Sequence, residues 1–346
     1  MKECVFRAAN GILSSRLTAP LRKGPLLLVY HGVEEKLVNA QVQTLHIPIK
    51  SFERQMAFLR KHRQIISLDE LQSSLSRGDP LDPSHVLITF DDGYKNNRSV
   101  VAPLLESLGF PFAVFVSTRH IEERLRFPIY RLRAAIHYAE KKNLAVRCLD
   151  TAFDLATEPQ RRLALDTLRR LLKRSSRAVV ESIVQDVNGL VSKDRWPEID
   201  RLFSSEEPMD WEDIKELSRQ GVIIGSHCHD HFILHAAQPV DEIDRQLKIS
   251  KSLIERHVGR CAYIAYPNGG RSDITLEALR MIRDDQYLLG LTSVKGEVLC
   301  GLDAFLVPRI FVPEDFSQFK FRINNAYLYD KPYARWARGL RAASSN

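Results

Sequence analysis

Cysteine is scarce and unpatterned. The chain has five, Cys4, Cys148, Cys228, Cys261 and Cys300, an odd number with no pair in Cys-x-x-Cys spacing. That argues against a disulfide framework and for a reducing compartment. Long apolar runs are missing too. No segment approaches the length of a membrane span, and the N-terminus lacks the continuous apolar stretch of a signal peptide. A cytoplasmic protein is the expectation. Residues 5–17 suit a short amphipathic helix, packed on the body or touching a membrane surface peripherally. Internal repeats and low-complexity tracts are absent. So are recognised nucleic-acid motifs and base-stacking platforms, and no nucleic-acid partner is expected. The formal net charge of +7 over 346 residues permits an anionic partner without demanding one. What is left, 44% hydrophobic and 27% charged, is the composition of an ordinary globular protein. Its length allows a large core.

Punctuation along the chain sets the architecture. An apolar run at residues 26–30 reads as a first strand, ending at His31-Gly32. Ser51 suits a helix cap before Phe52, Met56 and Leu59. Residues 65–68 read as a strand and 69–75 as a short helix. The strand entering Asp91 follows, then a helix over 100–108 closed by Gly109 and a strand over 112–117. This alternation implies a parallel sheet or barrel. Residues 119–208 break the rhythm, reading as mostly helical and basic, with Arg161, Arg162, Arg169, Arg170, Lys173, Arg174 and Arg177 around a Leu165, Leu168, Leu172 stripe. They form either a solvated helix pair or a basic wall beside the site for an anionic carrier. Alternation resumes at Trp211, with strands expected over 222–225, 262–266, 288–292 and 305–312. Residues 327–346 are aromatic and basic.

Ile88-Thr89-Phe90-Asp91-Asp92-Gly93-Tyr94 organises the chain. An apolar strand runs into two adjacent carboxylates, costly to pack and hard to leave bare. Neighbours on a strand face opposite sides, so one reason rarely explains both acids. Either this is a polar turn, since Asp-Gly suits turns, or one carboxylate binds a metal and the other stays free as a base. A second cluster bears on that choice. Ser226-His227-Cys228-His229-Asp230-His231 follows the strand at 222–225. His227 and His231 share one side of a helical turn, and in a strand all three histidines would share a face. Imidazoles with a carboxylate suit zinc and similar divalent ions. Cys228 would point away.

The order TFDDGY, GSHCHDH, AYPNGG resembles the polysaccharide deacetylases of the NodB-homology type, the family-four carbohydrate esterases. Tyr30-His31-Gly32-Val33, Ser51-Phe52-Glu53-Arg54-Gln55-Met56 and Trp211-Glu212-Asp213 add to the likeness. It covers roughly residues 25–118 and 209–315. The resemblance implies an α/β fold, a distorted parallel (β/α)7-type barrel over residues 25–118 and 209–325. Residues 1–24 would then be an N-terminal extension, 119–208 a helical insertion and 326–346 a basic tail. It also implies a metal-dependent hydrolase of an amide carbon–nitrogen bond, releasing acetate from an N-acetylated amino sugar in a glycan or glycan precursor. By position, Asp91 is the general base. Asp92, His227 and His231 hold the divalent metal, with zinc preferred and cobalt or nickel as alternatives. His229 takes a supporting role, the backbone N–H of Tyr94 steadies the oxyanion, and Tyr266, Pro267 and Asn268 line the sugar site.

Two departures stand out. The family's arginine two before its third-motif proline is Ala265 here, and Arg309 in Val307-Pro308-Arg309-Ile310 is the candidate replacement. The late Leu-x-His that supplies the general acid is missing, since Leu291-Thr292-Ser293 stands near its place, and His31 is the candidate donor. Other readings are a catalytically inactive carbohydrate binder, and a deformylase or amidohydrolase on a lipid- or nucleotide-linked sugar.

Overall fold

The computed structural model describes residues 21–344. The central parallel strands are β1 Leu26–Tyr30, β2 His85–Phe90, β3 Phe112–Val116, β4 Ile223–Ser226, β5 Tyr263–Ala265, β6 Leu289–Leu291 and β7 Ile310–Phe311. Their spatial order is β6-β5-β4-β3-β2-β1-β7, and the short strand Gln64–Ile65 lies beside the start of β2. The sheet curls on itself. Val307 bridges Leu291 of β6, and Ile310 pairs with Leu28 of β1, so residues 307–311 join the two edges. Helices surround it, giving the distorted parallel (β/α) barrel that the motifs implied.

Strands such as Leu-Leu-Leu-Val-Tyr in β1 are buried throughout, as in a sheet covered on both faces. The two faces serve different clusters. Leu26, Leu28 and Tyr30 pack outward with Phe52, Met56 and Phe90. Leu27, Leu87, Phe115, Ala265, Leu291 and Val307 pack inward. This period of two aims the chemistry. On β2 the inward series Leu87, Thr89 continues to Asp91, and on the last strand Val307 continues to Arg309. Close packing inside also selects residues. A Cβ on Gly225 would stand 2.4 Å from the Phe115 ring.

Local boundaries differ from expectation for identifiable reasons. The helix Ile49–His62 starts before Ser51, with Pro48 at its N-cap and no side-chain cap. Ser67, expected within a strand, caps the helix Leu68–Arg77 through a reciprocal box with Glu70. Gly109 does end the helix Ala102–Leu108, at φ +65°. β7 is shorter than expected because Pro308 has no N–H to give the ladder.

Residues 119–208 hold the helices Pro128–His137, Glu158–Leu172, Arg177–Asn188 and Trp196–Leu202 around their own apolar core, including Tyr130, Leu168, Ile183 and Phe203. They also hold an antiparallel pair, Asn143–Val146 with Thr151–Asp154, in a stretch expected to be mostly helical. Four residues of alternation are too short a signal. The chain rejoins the barrel where Lys95 N–H donates to Glu207 O (2.8 Å) and Met209 N–H to Gly93 O (2.9 Å).

The C-terminal stretch read as a basic tail contains the helix Asp330–Ser344, whose Tyr333 and Ala337 sit in the main core. The amphipathic helix expected over residues 5–17 lies outside the described residues. Among the described residues no helix is long and apolar enough to cross a membrane, and Cys148, Cys228, Cys261 and Cys300 are unpaired.

Candidate active site

Asp91 and Arg309 meet inside the mouth of the barrel. Arg309 Nη1 donates to Asp91 Oδ1 and Nη2 to Oδ2, both at 2.7 Å. Arg309 is fully buried. Its Nε donates to Thr292 O (2.9 Å) and Nη1 also reaches Thr89 Oγ1 (3.3 Å). Burial alone would raise the Asp91 carboxyl. The opposing charge and hydrogen bonds of Arg309 outweigh it and hold Asp91 at about 2. Ala265, where the family pattern has arginine, lines the same inner face with a methyl group.

One residue on, the backbone reverses. Asp92 and Gly93 both have φ +75°. A Cβ on Gly93 would stand 2.8 Å from Val116 Cγ1, so this turn needs glycine. It swings Asp92 toward the histidines that follow β4. His227 continues that strand, its N–H donating to Val116 O (2.8 Å). The next residues form neither the helical turn nor the strand expected. Cys228 and His231 take left-handed backbone, φ +61° and +47°. That loop folds His231 back until its ring lies 5.0 Å from that of His227.

Asp92 Oδ1 stands 3.5 Å from His227 Nε2 and 3.4 Å from His231 Nε2. Ligand atoms of the three residues all lie within 4.8 Å of one another. Two ligands of one tetrahedral zinc stand roughly 3.3 Å apart, given metal–ligand distances of about 2.0–2.1 Å, so the trio fits an ion. Asp92 Oδ1 is buried without a hydrogen-bond partner, and burial pushes its carboxyl up to about 6 although His31 pulls the other way. A cation would relieve that cost. Burial lowers both histidines, keeping them in the neutral form that ligates. His227 Nδ1 lies 2.7 Å from Ala265 O, which leaves Nε2 free to face the ion.

A cavity of about 1330 Å³ opens over this centre. His31, Asp91, Asp92, His227, His231 and Asn268 line its floor. Residues 119–208 supply the opposite wall, including Arg133, Arg169, Lys173 and Arg177. Of the expected sugar contacts only Asn268 reaches the cavity. Its Oδ1 accepts from Lys173 Nζ at 2.5 Å. The Tyr94 and Tyr266 side chains are fully buried, Tyr266 Oη donating to Phe305 O at 2.7 Å. Pro267 is buried as well. None of these three side chains lines the cavity. The inward period of their strands explains Tyr266, because Ala265 faces in and its neighbour must face out. His229 is turned away, with Nδ1 at 2.8 Å from Thr118 Oγ1.

Residues 78–283 match the family described as polysaccharide deacetylase. The chain belongs to the polysaccharide deacetylase family. Members of this family are hydrolases of amide carbon–nitrogen bonds, acting on N-acetylated sugar polymers, and this deacetylase is an enzyme of that class. Similar solved structures include the deacetylase PplD of Streptococcus pyogenes, 15% identical over 88% of this chain and 98% of that one, TM-score 0.57. IcaB from Ammonifex degensii is 19% identical over 87% and 97%, TM-score 0.55. The polysaccharide deacetylase BC0361 of Bacillus cereus is 14% identical over 87% and 69%, TM-score 0.52. These likenesses support the barrel. Comparison with curated proteins finds no sequence match.

The residues that hold others in place were not among those expected from the sequence. Thr89 and Thr292 steady Arg309, and the Ala265 carbonyl fixes His227. Thr89 was findable, lying two before Asp91 on the inward face. Thr292 and the Ala265 carbonyl carry no sequence signal.

Proposed function

We propose that this deacetylase removes the N-acetyl group of an amino sugar in a glycan or glycan precursor, with a divalent ion, zinc first, held by Asp92, His227 and His231. The observation that carries the reading is Asp91 gripped by two hydrogen bonds from Arg309, beside a buried carboxylate–imidazole trio whose Asp92 Oδ1 has no hydrogen-bond partner. A purely binding relative has no use for so costly a set. A bound zinc would polarise the amide carbonyl and lower the pKa of water toward about 7.

The chain's own groups do the rest. Asp91 takes the proton of the attacking water, and Arg309 keeps it ionised and aimed. The water oxygen bonds to the acetyl carbon, the carbon–nitrogen bond breaks, and acetate and a free amine leave. The backbone N–H of Tyr94 is the assigned donor to the developing oxyanion. The departing nitrogen needs a proton in return. We assign its delivery to His31, which lines the same cavity. Burial lowers the His31 pKa, leaving the imidazole uncharged at rest, so it relays the proton that Asp91 removed. The carrier of the sugar, lipid or nucleotide, and any contact with a membrane surface belong to this proposal too.

Two measurements test the reading. Acetate release should stop when a chelator strips the metal and return with zinc, cobalt or nickel. His227→Ala should bind no stoichiometric metal and release no acetate. Full activity in metal-free protein ends the metal-dependent reading. His31→Gln should keep one equivalent of metal while kcat falls about 100-fold, in the range of a lost acid–base group. An unchanged kcat removes His31 from the proton path.

A further inference from the structure

The cavity wall opposite the metal trio carries many cations, and most are already neutralised. Arg126 and Arg131 pair with Asp200 (3.4 and 3.1 Å). Arg119 and Arg177 both reach Asp230 at 3.0 Å. Among the described residues, Arg133, Lys173 and the exposed Lys193 make no ion pair, and Arg169 pairs only within its own helix. Arg133 is only 8% exposed and lines the cavity. Its Nη1 is buried without a hydrogen-bond partner, and among the described residues it makes no ion pair. The fields of Glu206 and Asp92 reach it, but so does that of Arg169. Arg169 itself pairs with Asp166 (3.1 Å) in an exposed contact on its own helix. Lys173, one turn further along, donates to the neutral amide of Asn268. Asp273, whose field reaches Lys173, has its Oδ2 taken by Asn268 Nδ2 (2.5 Å) and Gly270 N–H (2.7 Å).

A half-empty guanidinium buried beside two further cations is unfavourable in the free protein. It becomes favourable when an anion enters. One carboxylate is satisfied by one arginine, as Asp91 is by Arg309. Three neighbouring cations lining one cavity match a group of higher charge, and guanidinium forks suit phosphate oxygens. Neutral acetylated sugars would leave these side chains unused.

We propose that Arg133, Arg169 and Lys173 bind a phosphate or diphosphate carried by the substrate, so that the enzyme acts on a phosphate-linked amino sugar. The assignment rests on the hydrolytic reading above for the identity of the sugar, but not for the anion. The phosphate has two sources, a nucleotide or a prenyl lipid. The apolar stretch of the same wall, with Ile129, Val184 and Trp196, bears on which.

The test is calorimetric binding to the zinc-loaded full chain, using deacetylated probes that cannot turn over. These are methyl glucosaminide, glucosamine 1-phosphate, UDP-glucosamine and farnesyl-diphosphate-linked glucosamine. Glucosamine 1-phosphate should bind at least 10-fold tighter than the neutral glycoside. Arg169→Gln and Lys173→Gln, both near the surface and tolerant of change, should each cut that ratio about 10-fold. The tighter of the nucleotide and prenyl probes identifies the carrier. Equal binding of neutral and phosphorylated sugar overturns the proposal. So does a phosphate preference that survives in both variants, because the anion would then sit on the metal. Acetate release from the acetylated counterparts, run in parallel, tests the hydrolytic reading separately. Anion binding without acetate release would refute that reading alone.

Discussion

Arg309→Leu is expected to cost about 3–5 kcal/mol of stability and to abolish measurable acetate release. The side chain is fully buried and both terminal nitrogens are committed to Asp91. Leucine leaves a buried carboxylate at the cavity floor without the counter-charge that holds it ionised. Part of that cost is avoided if Asp91 protonates, at the expense of the base. The double variant Asp91→Asn/Arg309→Leu should therefore be more stable than Arg309→Leu alone, because no uncompensated charge remains. Urea denaturation of the wild type, both single variants and the double gives the coupling energy. Additive losses would falsify the ion-pair account. Loss of stability with near-normal turnover would leave Arg309 structural and remove it from the positioning of the base.

Asp91→Asn is the second large effect. The amide keeps the shape of the carboxylate and loses its basicity. We expect kcat to fall about 1,000-fold, within the range of about 10²–10⁴ for a removed acid–base group. Bound metal should stay at one equivalent, because Asp91 is not among the three donors. Asp92→Asn should do the reverse and lose the metal first. Metal analysis beside acetate release separates the two roles. An Asp91→Asn enzyme within 10-fold of wild type would sink the assignment of the base.

Much of the site is legible in the sequence. Asp91 follows Thr89 and Leu87 on the inward series of β2, and a period of two carries that placement without long-range information. The three histidines after β4 were equally visible. Their backbone was not, because the left-handed turns at Cys228 and His231 follow no common pattern for those residue types. Tyr266 suggested a sugar contact as part of the AYPNGG motif, yet, just after β5, its side chain turns into the core.

Local rules of alternation, glycine turns and helix caps are written in neighbouring residues, and they carry the parallel sheet, the acid pair at a strand end and the histidines after β4. The pairing of Asp91 with Arg309 spans 218 residues, and the cation wall reaches the cavity only because residues 119–208 fold back over the mouth. Neither follows from composition or spacing. The ion pair depends on how the sheet closes, through residues 307–311 bridging β6 and β1. Closure brings the last strand beside the first, and with it a buried positive charge against Asp91.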